Sequence, residues 1–272
     1  MIIVGGSVLL MWIGELISEF NIGNGISILI FSGIIAGLPQ SVVSSIMNYS
    51  PEKLPTYIAF VVLSVVVISG VVYVNEGERK VPVSYAKQVR GNKMYGGASS
   101  YLPLKVNQAG VIPIIFAVSV LLFPQFFAQI AGVISQGFAN TVNEWVNTFF
   151  NNQFIYSGLY FLLVVAFTYF YTSVTFDPEE ISKTLQSNGG FIPGIRPGEN
   201  TTNVIKKIVH RITLFGALFL GAVAILPNIT QIATGIQTFA IGGAALLIVV
   251  AVALEIMKQI ESQLTMREYE GL

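Results

Sequence analysis

The chain has 272 residues, 53% of them apolar and only 10% charged, with 14 basic against 14 acidic side chains and no cysteine. A soluble domain usually carries about 25% charged residues, so too few remain to cover an aqueous surface and a bilayer is the expected solvent. The balanced total points to no nucleic-acid partner, and the missing cysteines exclude disulfides, thiolate metal sites and cysteine nucleophiles.

A bilayer core of about 30 Å takes roughly 20 apolar residues per helix. Seven segments qualify: 2–19, 26–46, 56–75, 108–131, 154–176, 208–227 and 236–257. The first follows Met1 without the basic n-region of a cleavable signal peptide, and Glu15 and Glu19 lie close to its end. Gly33, Gly37 and Pro39 interrupt the second, whereas the third is continuous. Next comes a long basic segment, 76–107, which alternates around Val81, Val83 and Tyr85 and resumes at Tyr95. That pattern predicts a β-hairpin with Arg90 to Asn92 at its tip.

Gly110 and Pro113 interrupt the fourth span, and the fifth is continuous. A second long loop follows. Pro178 at the start of an acidic turn predicts a short helix over 178–187, which Gly189 and Gly190 then end. The stretch GGFIPGIRPGEN, 189–200, packs two prolines, four glycines and Arg196 into a shaped turn. So many turn residues predict a stiff scaffold that holds one cation in place.

Period-two alternation is absent from the apolar runs, so a membrane barrel is not expected. The predicted fold class is all-α: a polytopic transmembrane bundle of about seven spans with two long loops on one side, one of them a β-hairpin. Lysine and arginine set the orientation. Segment 76–107 holds six, segment 177–211 five and the tail two, all on one side if the spans alternate, against Lys53 alone on the other. Thirteen against one places the basic side in the cytoplasm. Met1 then starts on the outer side, which raises the expectation that this is a piece of a longer protein with helices before Met1.

Enzyme chemistry finds no support. His210, the only histidine, has no Ser–His–Asp arrangement around it and reads as an interfacial residue. No spacing suggests a metal site, and no cofactor is expected. The spans hold almost no charge, with Glu255 near the end of the last and Asn107 and Gln108 at the start of the fourth. Ion-coupled transporters usually place ionisable groups at mid-depth, whereas aliphatic, glycine-rich spans suit a pore closed by an apolar constriction. The pattern leaves open a channel, a secondary transporter of small solutes and a membrane factor that docks ribosomes without a pore. The basic hairpin fits anionic headgroups, RNA or a protein, or simply fixes topology.

Five motifs narrow the choice: MWIGELISEFNIGNGISILIFSGIIAGLP (11–39), YAKQVRG (85–91), LPLKVNQAGVIP (102–113), FIPGIRPGEN (191–200) and GGAALLIVVAVALE (242–255). In this order and spacing the chain resembles the SecY family of protein-conducting channels. The resemblance implies the fourth to tenth helices of a ten-helix fold, without the plug and half of the lateral gate. Residues 1–46 would be the last two helices of the N-terminal half. Residues 47–272 would be the C-terminal half, with five helices and cytoplasmic loops at 76–107 and 177–207. It further implies a ring of aliphatic side chains at the waist, here Ile30, Ile34, Ile115 and Ile248, and Asn107 at the lateral gate through which apolar segments leave into lipid. The helix carrying Pro113 and span 154–176 would form this half of that gate. Lys87, Arg90 and Lys93 would face ribosomal RNA, whose phosphates cations neutralise. Arg196 matches the arginine the family uses for motor-driven export. Implied partners are the SecE and SecG subunits, the SecA motor ATPase, the ribosome, signal peptides, nascent polypeptides and membrane lipids. The implied location is the bacterial cytoplasmic membrane. The chain itself has no phosphate-binding glycine loop, so ATP hydrolysis would belong to a partner.

Overall fold

The computed structural model describes residues 2–20, 24–47, 51, 54–85, 88–90, 93–95, 99–134, most of 142–150, 152–234 and 243–270. Its helices are α1 (Ile2–Glu19), α2 (Gly25–Met47), α3 (Leu54–Glu76), α4 (Ile112–Ile134), α5 (Gln153–Thr175), α6 (Pro178–Ser187), α7 (Glu199–Thr234) and α8 (Gly243–Glu270). Strands are β1 (Glu78–Tyr85), β2 (Gln88–Arg90), β3 (Lys93–Tyr95), β4 (Ser99–Lys105) and β5 (Gly190–Phe191). Among the described residues five helical stretches are long and apolar enough to cross a membrane: Ile2–Glu19, Tyr57–Glu76, Ile112–Ile130, Gln153–Ser187 and Glu199–Ile232. The remaining predicted spans, 26–46 and 236–257, are helical wherever they are described. The all-α membrane fold predicted from composition is therefore the one observed.

Contacts divide the chain into two units, Met1–Val72 with Leu226–Leu272, and Tyr73–Ile225. In the first, α1 and α2 cross closely, and α2 also meets α8. Glycine makes the first crossing possible, because a Cβ on Gly25 would fall on the Gly14 carbonyl oxygen. The Gly25 N–H donates to Ser18 Oγ at 2.9 Å, and Asn24 Oδ1 caps α2 by accepting from the Ile26 and Ser27 N–H groups at 3.1 and 3.2 Å. Pro39 sits inside α2 without ending it. A membrane helix tolerates such a lost bond when neighbouring groups re-satisfy the freed carbonyl.

The second unit carries the long loops. The Val106 N–H donates to the Gly77 carbonyl at 2.8 Å, closing the base of a hairpin whose arms pair from Glu78↔Lys105 to Ser84↔Ser99. Beyond it β2 and β3 pair antiparallel with Arg90 opposite Lys93, and Gly91 and Asn92 of the predicted tip lie outside the described residues. β5 adds to the free edge of β1 through Ser84↔Phe191 and Tyr85↔Gly190, giving the sheet order β4-β1-β5.

Span boundaries differ from the sequence reading most consequentially in two helices. The fourth span starts at Ile112 instead of 108, because Gly110 adopts φ +62° and keeps residues 107–111 out of the helix. Pro113 consequently sits in the first turn, where its missing N–H costs nothing. The sixth span, expected over 208–227, is part of a 36-residue helix, α7, that begins at Glu199 and continues past Pro227 to Thr234. At 1.5 Å per residue that helix is about 54 Å long, so it extends well beyond a hydrocarbon core of about 30 Å.

Gly216 on α7 lies against the 106–107 segment. A Cβ there would come to 2.7 Å from the Val106 carbonyl oxygen, and a backbone atom in a closed hairpin base cannot step aside. Gly216→Ala in the complete protein is expected to cost about 1–3 kcal/mol by overpacking. Thermal unfolding in detergent checks it, and an unchanged midpoint would contradict this packing.

Candidate functional site

The loop side of the second unit has a hydrophobic core of its own. Val81 and Val83 from β1, Leu104 from β4, Leu185 from α6, Ile192 from the loop after β5, and Ile205 and Val209 from α7 are all buried together. Tyr85, Leu102, Phe176, Ile181, Ile195, Ile208 and Ile212 pack round them. Alternation on β1 supplies one face and the helical spacing of Ile205 and Val209 another, so two loops distant in sequence become one folded layer.

That layer fixes the path of GGFIPGIRPGEN. Asp177 caps α6, its Oδ1 accepting from the Glu179 N–H at 2.8 Å, with Pro178 in the first turn. The helix spans Pro178–Ser187 as the sequence predicts, and Gly189 ends it with φ +68°. Gly190 is then squeezed against Tyr85 Cε1 at 3.1 Å and the Leu185 carbonyl at 3.2 Å, measured from a Cβ built on it. A larger residue would push β5 off β1. Ile192 to Ile195 form a hydrogen-bonded turn, Ile195 N–H to Ile192 O at 3.0 Å, with Pro193 and Gly194 (φ +82°) at its centre. Proline followed by a positive-φ glycine is what a type II turn requires.

The next residues carry the cation. The Arg196 carbonyl accepts from Thr201 Oγ1 at 3.1 Å, and the Gly198 carbonyl accepts from Ser182 Oγ at 3.0 Å and from the first turn of α7. The Arg196 carbonyl is tied to α7 and the Gly198 carbonyl to both α6 and α7, while the Arg196 side chain is exposed. A held backbone with a free guanidinium presents a planar, permanently charged donor at a set position.

The other predicted residues are distributed as follows. Arg90 and Lys93 face each other in register on β2 and β3, and Lys87 lies outside the described residues. Asn107 is 8% exposed, and its Nδ2 donates to Asn75 Oδ1 at 2.9 Å and to the Gly110 carbonyl at 3.3 Å. Its own Oδ1 is buried with no partner, as is Gln108 Oε1. Ile30 and Ile34 lie one turn apart and half-buried on α2, and Ile248 is buried on α8, which touches α2. Ile115, half-buried on α4, belongs to the other unit. His210 is exposed and its ring lies 5.2 Å from that of Tyr169. Among the described residues no group of histidines and carboxylates could hold a metal ion.

Sequence reasoning missed Asn75, Ser182 and β5. Asn75 ends an apolar span and Ser182 sits in an unremarkable helix, so neither carries a local signal. A two-residue strand has no periodicity to read.

A family model described as SecY matches residues 1–257. The protein translocase subunit SecY of Mycobacterium tuberculosis is 45% identical over 283 residues, covering 100% of this chain and 62% of that protein. Its counterpart in Thermus thermophilus is 46% identical over 274 residues, covering 98% of this chain and 60% of that one. The chain thus spans about three-fifths of the length of these curated relatives. Two solved structures share the fold, a study of the SecY plug domain (TM-score 0.61) and the structure of a protein-conducting channel (TM-score 0.60). Both are 20% identical, and each likeness covers 94% of this chain and 64% and 63% of the respective solved chain.

Proposed function

The chain belongs to the SecY family, and from that premise we propose that its parent protein is the pore-forming subunit of the Sec translocase in the bacterial cytoplasmic membrane. It conducts unfolded polypeptides across the membrane and releases apolar segments sideways into lipid. The observation that carries this reading is the family match over residues 1–257, in a chain whose spans hold almost no charge and whose two long, lysine- and arginine-bearing loops share one hydrophobic core.

In this reading residues 1–46 close the N-terminal half and 47–272 form the C-terminal half. Ile30, Ile34, Ile115 and Ile248 form an apolar gasket that excludes hydrated ions yet yields around a passing chain. Asn107, in the segment just before α4, lies on the lateral gate with α5 beside α4. Lys87, Arg90 and Lys93 meet ribosomal phosphate, and Arg196 meets the SecA motor, while SecE and SecG complete the complex. Catalysis is left to the motor, and no residue of this chain is assigned a chemical step.

Translocation tests the function as a whole. The complete protein with its partner subunits, reconstituted in vesicles with the motor and ATP, should carry a signal-bearing precursor into the lumen. If instead a small solute is taken up against an ion gradient and no precursor crosses, the transporter reading replaces this one. The gasket has its own test. Exchanging Ile30, Ile34, Ile115 and Ile248 together for glycine should raise the resting ion conductance at least tenfold in a planar bilayer. Conductance at the wild-type level would remove the gasket role.

A further inference from the structure

Between the last two turns of α5, the α5–α6 turn and the first four turns of α7 lies a cavity of ≈450 Å³. We propose that it is a binding site for the headgroup of a zwitterionic aminophospholipid of the ethanolamine type. The inference rests on the reading of α5 and α7 as membrane spans, since only then does the cavity sit at headgroup depth.

Four observations carry it. First, the lining holds charges of both signs: Asp177, Glu179 and Glu199 against Lys206. Glu179 makes a loose 3.9 Å pair with Lys183, exposed on both sides, whereas Glu199 and Lys206 have no ion-pair partner among the described residues. Second, these charges are ordered in depth. Glu199 is the first residue of α7, and Lys206 lies two turns on, toward the membrane. The acids therefore sit at the aqueous mouth, where an ethanolamine ammonium lies, and Lys206 sits below them, where the phosphate lies. Helix side chains lean toward the N-terminus, which brings the Lys206 ammonium back up toward that phosphate level.

Third, Thr202 and Asn203, which lie between Glu199 and Lys206 on α7, line the cavity and offer a hydroxyl and an amide N–H as donors. The ester and phosphate oxygens of a glycerolipid are acceptors for such groups. Fourth, Phe176 and, about two turns deeper, the Tyr169–His210 ring pair, 5.2 Å between centroids, wall the cavity with aromatic surface, as residues at a membrane interface do.

The net lining charge is negative, which selects against anionic lipids. Three carboxylates also favour a primary ammonium, which donates three hydrogen bonds, over a choline, which donates none.

Native mass spectrometry of the complete complex in detergent tests the site, titrated separately with 1-palmitoyl-2-oleoyl phosphatidylethanolamine, phosphatidylcholine and phosphatidylglycerol. The expected result is retention of one phosphatidylethanolamine at least fivefold better than either of the others. Glu199→Gln combined with Glu179→Gln should abolish that preference, and Thr202→Val should weaken retention about threefold without lowering the melting temperature. Equal retention of all three lipids, a preference for phosphatidylglycerol, or variants that bind like the wild type would overturn the proposal. So would displacement of the retained lipid by millimolar spermidine, which would identify a site for soluble cations. Precursor translocation in the same preparation reports separately on the channel reading, so either claim can fail without the other.

Discussion

Arg196→Glu in the complete protein is expected to reduce motor-driven precursor translocation by about 30-fold or more while leaving the fold unchanged. The loop backbone is held by Thr201 and Ser182 and by the α6 and α7 ends, none of which uses the guanidinium. An exposed side chain of this kind affects stability by no more than about 0.5 kcal/mol. Its effect must appear at a partner. Reversing a charge in a desolvated contact costs roughly 2–5 kcal/mol, and each 1.4 kcal/mol is tenfold. Vesicle translocation and a thermal melt on the same preparation check both halves, and export at the wild-type rate would remove the role given to Arg196.

Ile205→Asp should reach the same loss by another route. Ile205 is fully buried in the loop core. A carboxylate placed among Val81, Val83, Leu104 and Leu185 has no partner, and burying it costs upward of about 4 kcal/mol. The core should open, freeing β5 from β1 and releasing the turn that carries Arg196. Limited proteolysis should then cut within 177–198 at least tenfold faster than in the wild type, with translocation falling in parallel. Ile205→Val, which removes one methylene, costs only about 0.5–1.5 kcal/mol and should retain both properties. The two variants separate display from contact: Arg196→Glu keeps protease resistance and loses transport, whereas Ile205→Asp loses both. Protease resistance in Ile205→Asp would mean that the core does not hold the loop.

The membrane fold was legible because its signal is composition over windows of about 20 residues, which local detail barely disturbs. The short helix over 178–187 was legible for the opposite reason. Asp177, Pro178 and Gly189 are strong local punctuation, each tied to a backbone geometry that few residues satisfy. Boundaries set by one residue's conformation were harder. Gly110 could have sat inside a helix, and its positive φ became apparent only in three dimensions. The sixth span was expected to end at 227, yet the helix runs on through Pro227 to Thr234, because a membrane helix absorbs a proline that a soluble one would not.

Of the candidate site, the stiffness of the Arg196 turn could be inferred from its prolines and glycines, but its anchor could not. The joining of YAKQVRG to GGFIPGIRPGEN through Tyr85↔Gly190 is a contact across about a hundred residues, with no local trace on either strand. The same holds for Asn75, whose bond to Asn107 links the end of one span to the start of the next.

The most direct test of the central claim places a photo-crosslinking amino acid at Ile34 or Ile248 in the complete, reconstituted complex, with a precursor arrested midway through translocation. The channel account predicts adducts between either position and the arrested precursor, and none from Val62, which is exposed on α3. Adducts to lipid alone from Ile34 and Ile248, or precursor adducts of equal yield from Val62, would contradict it.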